Sequence, residues 1–328
     1  MPTSDDYTVA WIAPLEVELT ASIRMLDVGH KKLPQSPVDH NVYHLGSINN
    51  HNIVIASLPT TGNSSAAMVI TQLRNTYKQV RYGLLVGIGG VHISNGPIHL
   101  GDVVVNEPVD DHSGTIHYDH GKALEGYFQR TGYLHSPPNT LLNAVRALST
   151  EQAICGDNLL SPHLERIDTK SISLRHYQYP GVDQDYHFNS NCSHLEKGKP
   201  CDKCGCDPRQ KVDRSAQDSE DEIYDDNQKP RIKVHRGTIA AGEKVIRNGQ
   251  ERDHLANQYN ILCFEMEAAG VMNDFPCLAI RGISDYADSH KDDRWQGYAS
   301  AVAAAYAREL FFHMPIDDTK GQGNSTGT

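Results

Sequence analysis

Two short segments carry the residues best suited to chemistry. Cys263 to Gly270 reads CFEMEAAG and Arg281 to Asp288 reads RGISDYAD. Glu265, Met266 and Glu267 stand where an apolar strand gives way to a helix, and functional groups gather at strand ends in open α/β sheets. A carboxylate there can accept hydrogen bonds from both hydroxyls of a cis-diol, and a methionine can lie softly against a sugar face. The bland alternative is a helix start whose acids suit the helix dipole. Ser284 and Asp285 end the next apolar strand. A buried carboxyl group at such a place can have a raised pKa, stay protonated and donate to a ring nitrogen. The competing reading is an aspartate that caps its own turn.

Further candidates lie around these. Gly87-Ile88-Gly89-Gly90 closes an apolar strand, and its glycines let backbone approach a ligand closely. Without a following Lys-Ser/Thr it is no triphosphate loop. Glu16 and Glu18 open the first helix, where glutamates are electrostatically favoured in any case. Trp295 begins the last helix and can wall a pocket or simply pack in the core. Cys192, Cys201, Cys204 and Cys206 crowd into CSHLEKGKPCDKCGC. With His194 they could form a tetrahedral zinc site, although the spacing matches no common finger; a disulfide and free thiols stay open as alternatives. Cys263 and Cys277 lie in apolar strands and read as buried free thiols.

These residues must be positioned by a fold. Apolar strands (Tyr7 to Ala13, Gly83 to Ile88, Gly101 to Asn106, Ile261 to Phe264, Cys277 to Ile283) alternate with helical patterns (Pro14 to Asp27, Asn63 to Tyr77, Pro138 to Leu148, Gln250 to Gln258, Trp295 to Phe312). That alternation predicts a three-layer α/β sandwich with a largely buried, mixed central sheet. Asn49-Asn50 predicts a tight turn between two short strands. From about 151 to 230 the pattern dissolves into a polar stretch ending in DSEDEIYDDNQKP, expected to be a partly disordered insertion in a single domain spanning 1–315. The tail from 316 to 328 is expected to be mobile. A net charge of −11 argues against a nucleic-acid partner. No apolar run reaches membrane-spanning length and no signal region opens the chain, so a soluble, cytoplasmic protein is expected.

VAWIAPLEVEL, LLVGIGGV, LGDVVV, AGEKVIRNG, LCFEMEAAGVM and IRGISDYADSH together resemble the purine nucleoside phosphorylase and methylthioadenosine/adenosylhomocysteine nucleosidase superfamily, nearest to its fungal branch. The resemblance covers almost all of the chain outside the insertion and tail. It implies cleavage of the N-glycosidic bond of a purine nucleoside in a homo-oligomer. By the same resemblance, Met266 and Glu267 hold ribose with Glu265 beside them. Asp285, helped by Ser284, protonates the purine at N7. Val245 and Ile246 line the base, Gly87 to Gly90 lie near the anomeric carbon, and Trp295 closes the pocket. No cofactor is expected, apart from phosphate as co-substrate if the reaction is phosphorolytic, and no metal is assigned a catalytic place. Leu85 and Ile88 stand where phosphorylases carry a phosphate arginine and a serine, whereas Glu18 falls where nucleosidases carry the glutamate that activates water. Hydrolysis is therefore expected, with phosphorolysis as the alternative. Thr60, Thr61, Asn63 and Ser64 remain as neutral donors for an anion. A nucleoside-binding sensor module is a reading of a different class, and the intact acid pair speaks for an enzyme.

Overall fold

The computed structural model describes residues 2–92, 98–109, 112–155, 159–196, 199–213 and 231–316. The expected mobile tail lies outside the described residues except for Ile316, as does the acidic end of the expected insertion from 214 to 230.

A mixed sheet forms the middle layer. Strand β1 (Val9–Ala13) pairs in parallel with β4 (His51–Ser57) and β5 (Tyr82–Val91), and β12 (Cys277–Asp285) pairs in parallel with β5. All five residues of β1 and all nine of β12 are buried, as parallel strands covered on both faces require. β3 (Tyr43–Ile48) returns against β4 through Asn49 and Asn50, both with positive φ, and β2 (Val28–His30) forms the edge. Two consecutive left-handed asparagines suit the twist of a two-residue hairpin. On the other side follow β6 (Val103–Asn106), β10 (Val234–Ala241) and β11 (Ile261–Glu265), with β7 (Thr115–His117) on β10. β11 also pairs antiparallel with β5, joining Phe264 to Gly90, so this half of the sheet curls into a ring. β8 (Gly121–Leu124) and β9 (Tyr127–Arg130) form a separate hairpin.

The strands divide their side chains between two cores, as the period of two demands. Val9, Trp11 and Ala13 join a cluster with α1 (Glu16–Arg24), α3 (Asn139–Cys155) and α8 (Gln296–His313). Ala10 and Ile12 face the opposite cluster with α2 (Asn63–Thr76) and α7 (Ala268–Val271). Helix α6 (Gly249–Tyr259) packs beside β11. The alanine-rich α8 lies directly on β12: a Cβ at Gly282 would stand 2.0 Å from the Ala299 carbonyl oxygen. No described helix is long and apolar enough to cross a membrane.

Part of the expected insertion belongs to the core. The short helix α4 (Ser161–Leu164) and the residues after it bury Leu160, Ile167, Leu174 and Tyr177 in the cluster under α8. Their apolar residues are spaced too irregularly for a helical or strand period, which hides them in a polar sequence. A second part, from Tyr186 to Lys211 with α5 (Cys201–Cys204), builds a small cluster of its own around Phe188 and the cysteines.

Candidate active site

The first turn of α1 and the C-terminal ends of β5, β11 and β12 converge on one cavity of about 260 Å³. Glu18 is 3% exposed. Its Oε2 accepts from the Leu15 N–H at 2.6 Å, closing the helix start as a capping residue does, and its Oε1 accepts from the Ile88 N–H at 2.7 Å. The helix-start reading of this glutamate and the chemical one therefore both hold. Gly87 makes the approach possible, because a Cβ there would stand 2.5 Å from Glu18 Oε1 and 2.6 Å from Arg281 Nη1. Glu16 on the same turn is exposed and takes no part.

Arg281, in the middle of β12, is fully buried and forms ion pairs with Glu265 and with Glu267, the latter at 3.3 Å. Glu265 also accepts from the N–H groups of Glu267 and Ala268 at 3.0 and 3.1 Å, which fixes the turn between β11 and α7. Glu267 accepts from the Gly62 N–H at 3.2 Å. Three buried carboxyl groups thus face one guanidinium. Burial pushes the Glu18 carboxyl up to about 7, Arg281 draws it back only in part, and the charge of Glu267 adds to the rise. Burial likewise drives Glu265 upward against the pull of Arg281.

Asp285 has the opposite environment. Its Oδ2 takes the Lys291 ammonium at 2.6 Å and the Ser284 hydroxyl at 2.9 Å, and its Oδ1 takes the Ala287 N–H at 2.9 Å. Burial raises its proton affinity, but Lys291 and the three hydrogen bonds outweigh that, and the pKa falls below the ordinary carboxylate value. The expected raised pKa is thereby corrected: Asp285 is ionised, because the chain turns at Ala287, with φ of 51°, and brings Lys291 back over it.

Met266, Ile88, Gly89, Val245 and Ile246 line the same cavity, as do Glu18, Glu265, Glu267 and Asp285. Gly87 stands behind Glu18, and Ser284 reaches the cavity through Asp285. Trp295 does not close the pocket. It is buried in the α8 core, packs edge-on against Tyr179 and Tyr298, and donates its indole N–H to the Gln184 carbonyl at 3.1 Å. The aromatic wall of the cavity is Phe264, with Ile246 and Ala287 completing an apolar patch. Of the four neutral donors, only Thr61 lines the cavity. The N–H groups opening α2, at Gly62 and Asn63, already bind the carboxylates of Glu267 and Glu243.

Arg281, Lys291, Lys244, Arg247 and Phe264 line the cavity without having been singled out above. An arginine inside the apolar run CLAIRGI was a readable signal, since a buried charge demands a partner. Nothing in the order of residues announced Lys291.

Comparison with known proteins fits this arrangement. Residues 160–310 match the phosphorylase superfamily. Among curated relatives, a nucleotide-binding leucine-rich repeat (NLR)-like protein of Hyaloscypha variabilis is 38% identical over 311 residues, 93% of this chain and 29% of that protein. The ATP nucleosidase Cap17 of Escherichia coli is 25% identical over 322 residues, 93% of this chain and 51% of its own length. The chain therefore spans about a third to a half of these relatives. In fold, it resembles futalosine hydrolase of Helicobacter pylori (TM-score 0.60, 14% identity, covering 95% of this chain and 100% of the other). It resembles the 5'-methylthioadenosine/S-adenosyl homocysteine nucleosidase of the same organism nearly as well (TM-score 0.57, 14% identity, 94% and 99%).

Proposed function

We propose that the chain cleaves the N-glycosidic bond of purine nucleosides with water as the nucleophile. The observation that carries this reading is Glu18: a buried carboxyl group poised near neutrality, oriented by two backbone N–H groups, in one cavity with Glu267 and Asp285. Phosphate is disfavoured on the same ground. The buried guanidinium that lines the cavity, that of Arg281, is committed to Glu265 and Glu267, and the amides opening α2 are committed to carboxylates. A dianion entering there would meet like charge.

In this mechanism Glu267 accepts hydrogen bonds from the ribose hydroxyls and Met266 lies against the sugar. The C1′–N9 bond breaks, its electron pair passes to the purine, and an oxocarbenium-like sugar develops. The Lys291 ammonium is the source of the proton that neutralises N7: Asp285, the contacting group, passes a proton to N7 and takes one from Lys291, which is left neutral. Glu18 takes a proton from the water that bonds to C1′. Phe264 and Ile246 face the base.

Lys244 and Arg247 favour a second reading of the substrate's 5′ side. Both are exposed at the cavity lining, and they suit a 5′-phosphorylated nucleotide, in keeping with the ATP nucleosidase named among the relatives. The 5′ side is otherwise the place for a neighbouring subunit to complete the pocket. A module of this kind could also serve a larger signalling protein, as the NLR-like relative suggests; binding without base release would mark a pure sensor.

The test is base release from adenosine, inosine, guanosine, AMP and ATP, with and without phosphate. Free base plus ribose, or ribose carrying the 5′-phosphates, is expected in phosphate-free buffer. Strict dependence on phosphate, with ribose 1-phosphate formed, would overturn the choice of nucleophile. Thermal stabilisation by these compounds without any product would overturn the enzymatic reading.

A further inference from the structure

A second constellation lies outside the catalytic cavity. His194 Nδ1 faces three sulfur atoms, those of Cys201 and Cys204 at 3.6 Å and of Cys206 at 3.3 Å. The sulfurs of Cys204 and Cys206 are 3.1 Å apart. A zinc ion bound at about 2.3 Å by sulfur and about 2.0–2.1 Å by imidazole nitrogen, in tetrahedral geometry, sets nitrogen-to-sulfur edges of about 3.6 Å. The three nitrogen-to-sulfur edges come close to that figure, while the Cys204–Cys206 edge is shorter than the roughly 3.8 Å that two such zinc–sulfur bonds set.

The surroundings prepare these atoms as ligands. His194 Nε2 lies 2.8 Å from the Glu196 carbonyl oxygen, which can only accept, so the ring proton sits on Nε2 and the Nδ1 lone pair points at the sulfurs. One lone pair can take one S–H, yet three thiols surround it. All three cysteines are buried, with relative exposures of 6%, 7% and 8%. The turn of α5 puts Cys201 and Cys204 on one side, and Gly205, with φ of 77°, swings the chain so that Cys206 returns to them. A Cys204–Cys206 disulfide would need the sulfurs at about 2.05 Å and would leave Cys201 and His194 without a purpose. His290 stands beside the set, within 4.8 Å of His194 and Cys206. Its ring is stacked on Phe188 at 3.9 Å, and His194 with the three cysteines already supplies the four donors of a tetrahedral site.

We propose that His194, Cys201, Cys204 and Cys206 bind a structural zinc ion that pins the Tyr186–Lys211 segment onto the loop after β12. That loop carries Lys291 and Asp293 to the catalytic cavity. The segment holds it through the His194 N–H donating to the Ser289 hydroxyl at 2.9 Å, the Arg294 guanidinium donating to the Tyr186 hydroxyl at 2.8 Å, and the Phe188–His290 stack. A polar segment with so small a core gains its order from such a metal.

The experiment is metal analysis of the full chain purified without added metal or chelator, beside Cys204→Ser/Cys206→Ser and, as control, Cys155→Ser at an exposed free thiol. About one zinc per chain is expected in the wild type and in the control, and at least a tenfold loss in the double variant. Should the double variant fail to fold, cobalt titration of chelator-stripped wild type decides: intense visible bands of a tetrahedral thiolate site, saturating at about one equivalent, support the site. Zinc-free protein that gives no such bands, or a Cys204–Cys206 disulfide found by mass spectrometry of the native chain, would overturn it.

Discussion

The cavity has two acidic regions that the same fold tunes in opposite directions. Around Glu18, three buried carboxyl groups share one arginine, and proton affinity rises. Around Asp285, one buried carboxyl group has a lysine and three hydrogen bonds to itself, and proton affinity falls. Both are almost fully buried, so burial does not distinguish them; the number of cations per carboxylate does. Pairs of acids whose environments separate their pKa values mark the division of acid and base labour. The group near 7 suits proton uptake from water. The ionised Asp285 holds no proton of its own and suits relaying one from the Lys291 ammonium to a leaving base.

Several substitutions would break or sharpen this contrast. Glu18→Gln keeps the shape but removes the base, and kcat should fall roughly 10²- to 10⁴-fold. A loss under threefold in steady-state turnover would remove Glu18 from the mechanism. Asp285→Asn should lower kcat by a comparable or somewhat smaller factor, because Lys291 remains at the leaving group; near-normal base release from adenosine and inosine would refute the acid assignment.

Stability should separate the two regions as well. The folded Glu18 carboxyl lies near 7 against an ordinary 4.5, so the folded state binds an extra proton between those values, and this group's contribution to stability declines as pH rises from about 4.5 through 7. At pH 8 the ionised, buried Glu18 costs up to about 3 kcal/mol, and Glu18→Gln should melt at or above the wild-type temperature. Asp285, with its lowered pKa, has the reverse sign. Its stabilisation is present above the ordinary value of 3.8 and fades as pH falls below it. Melting curves of both variants from acid to mildly alkaline pH check these signs. The smallest catalytic effect belongs to Trp295→Phe: melting should drop by several degrees because a core contact is lost, while kcat/KM changes less than about twofold.

The sequence made much of this legible. EMEAAG and ISD carry their acids at the turn after β11 and the end of β12, and buried runs such as VAWIA, GLLVGI and CLAIRGI revealed the central strands. What it concealed depends on through-space placement. Lys291 reaches back to Asp285 over a turn in which Ala287 takes a left-handed conformation. Trp295, which could wall a pocket or pack in the core, packs against Tyr179 and Tyr298, and Phe264 has the wall position instead. Leu160 to Tyr177 join the core through irregular contacts with no period to read. The cysteines appeared ambiguous in order and gather around His194 only in space.

The most direct test is the pH dependence of kcat/KM, from about pH 5 to 9, for wild type and Glu18→Gln, since this parameter reports the ionisations of the free enzyme. Activity of the wild type should rise tenfold per pH unit on the acid side and level off near 7, while the residual rate of the variant shows no such limb. An acid limb unchanged in the variant would contradict the assignment of Glu18 as the base.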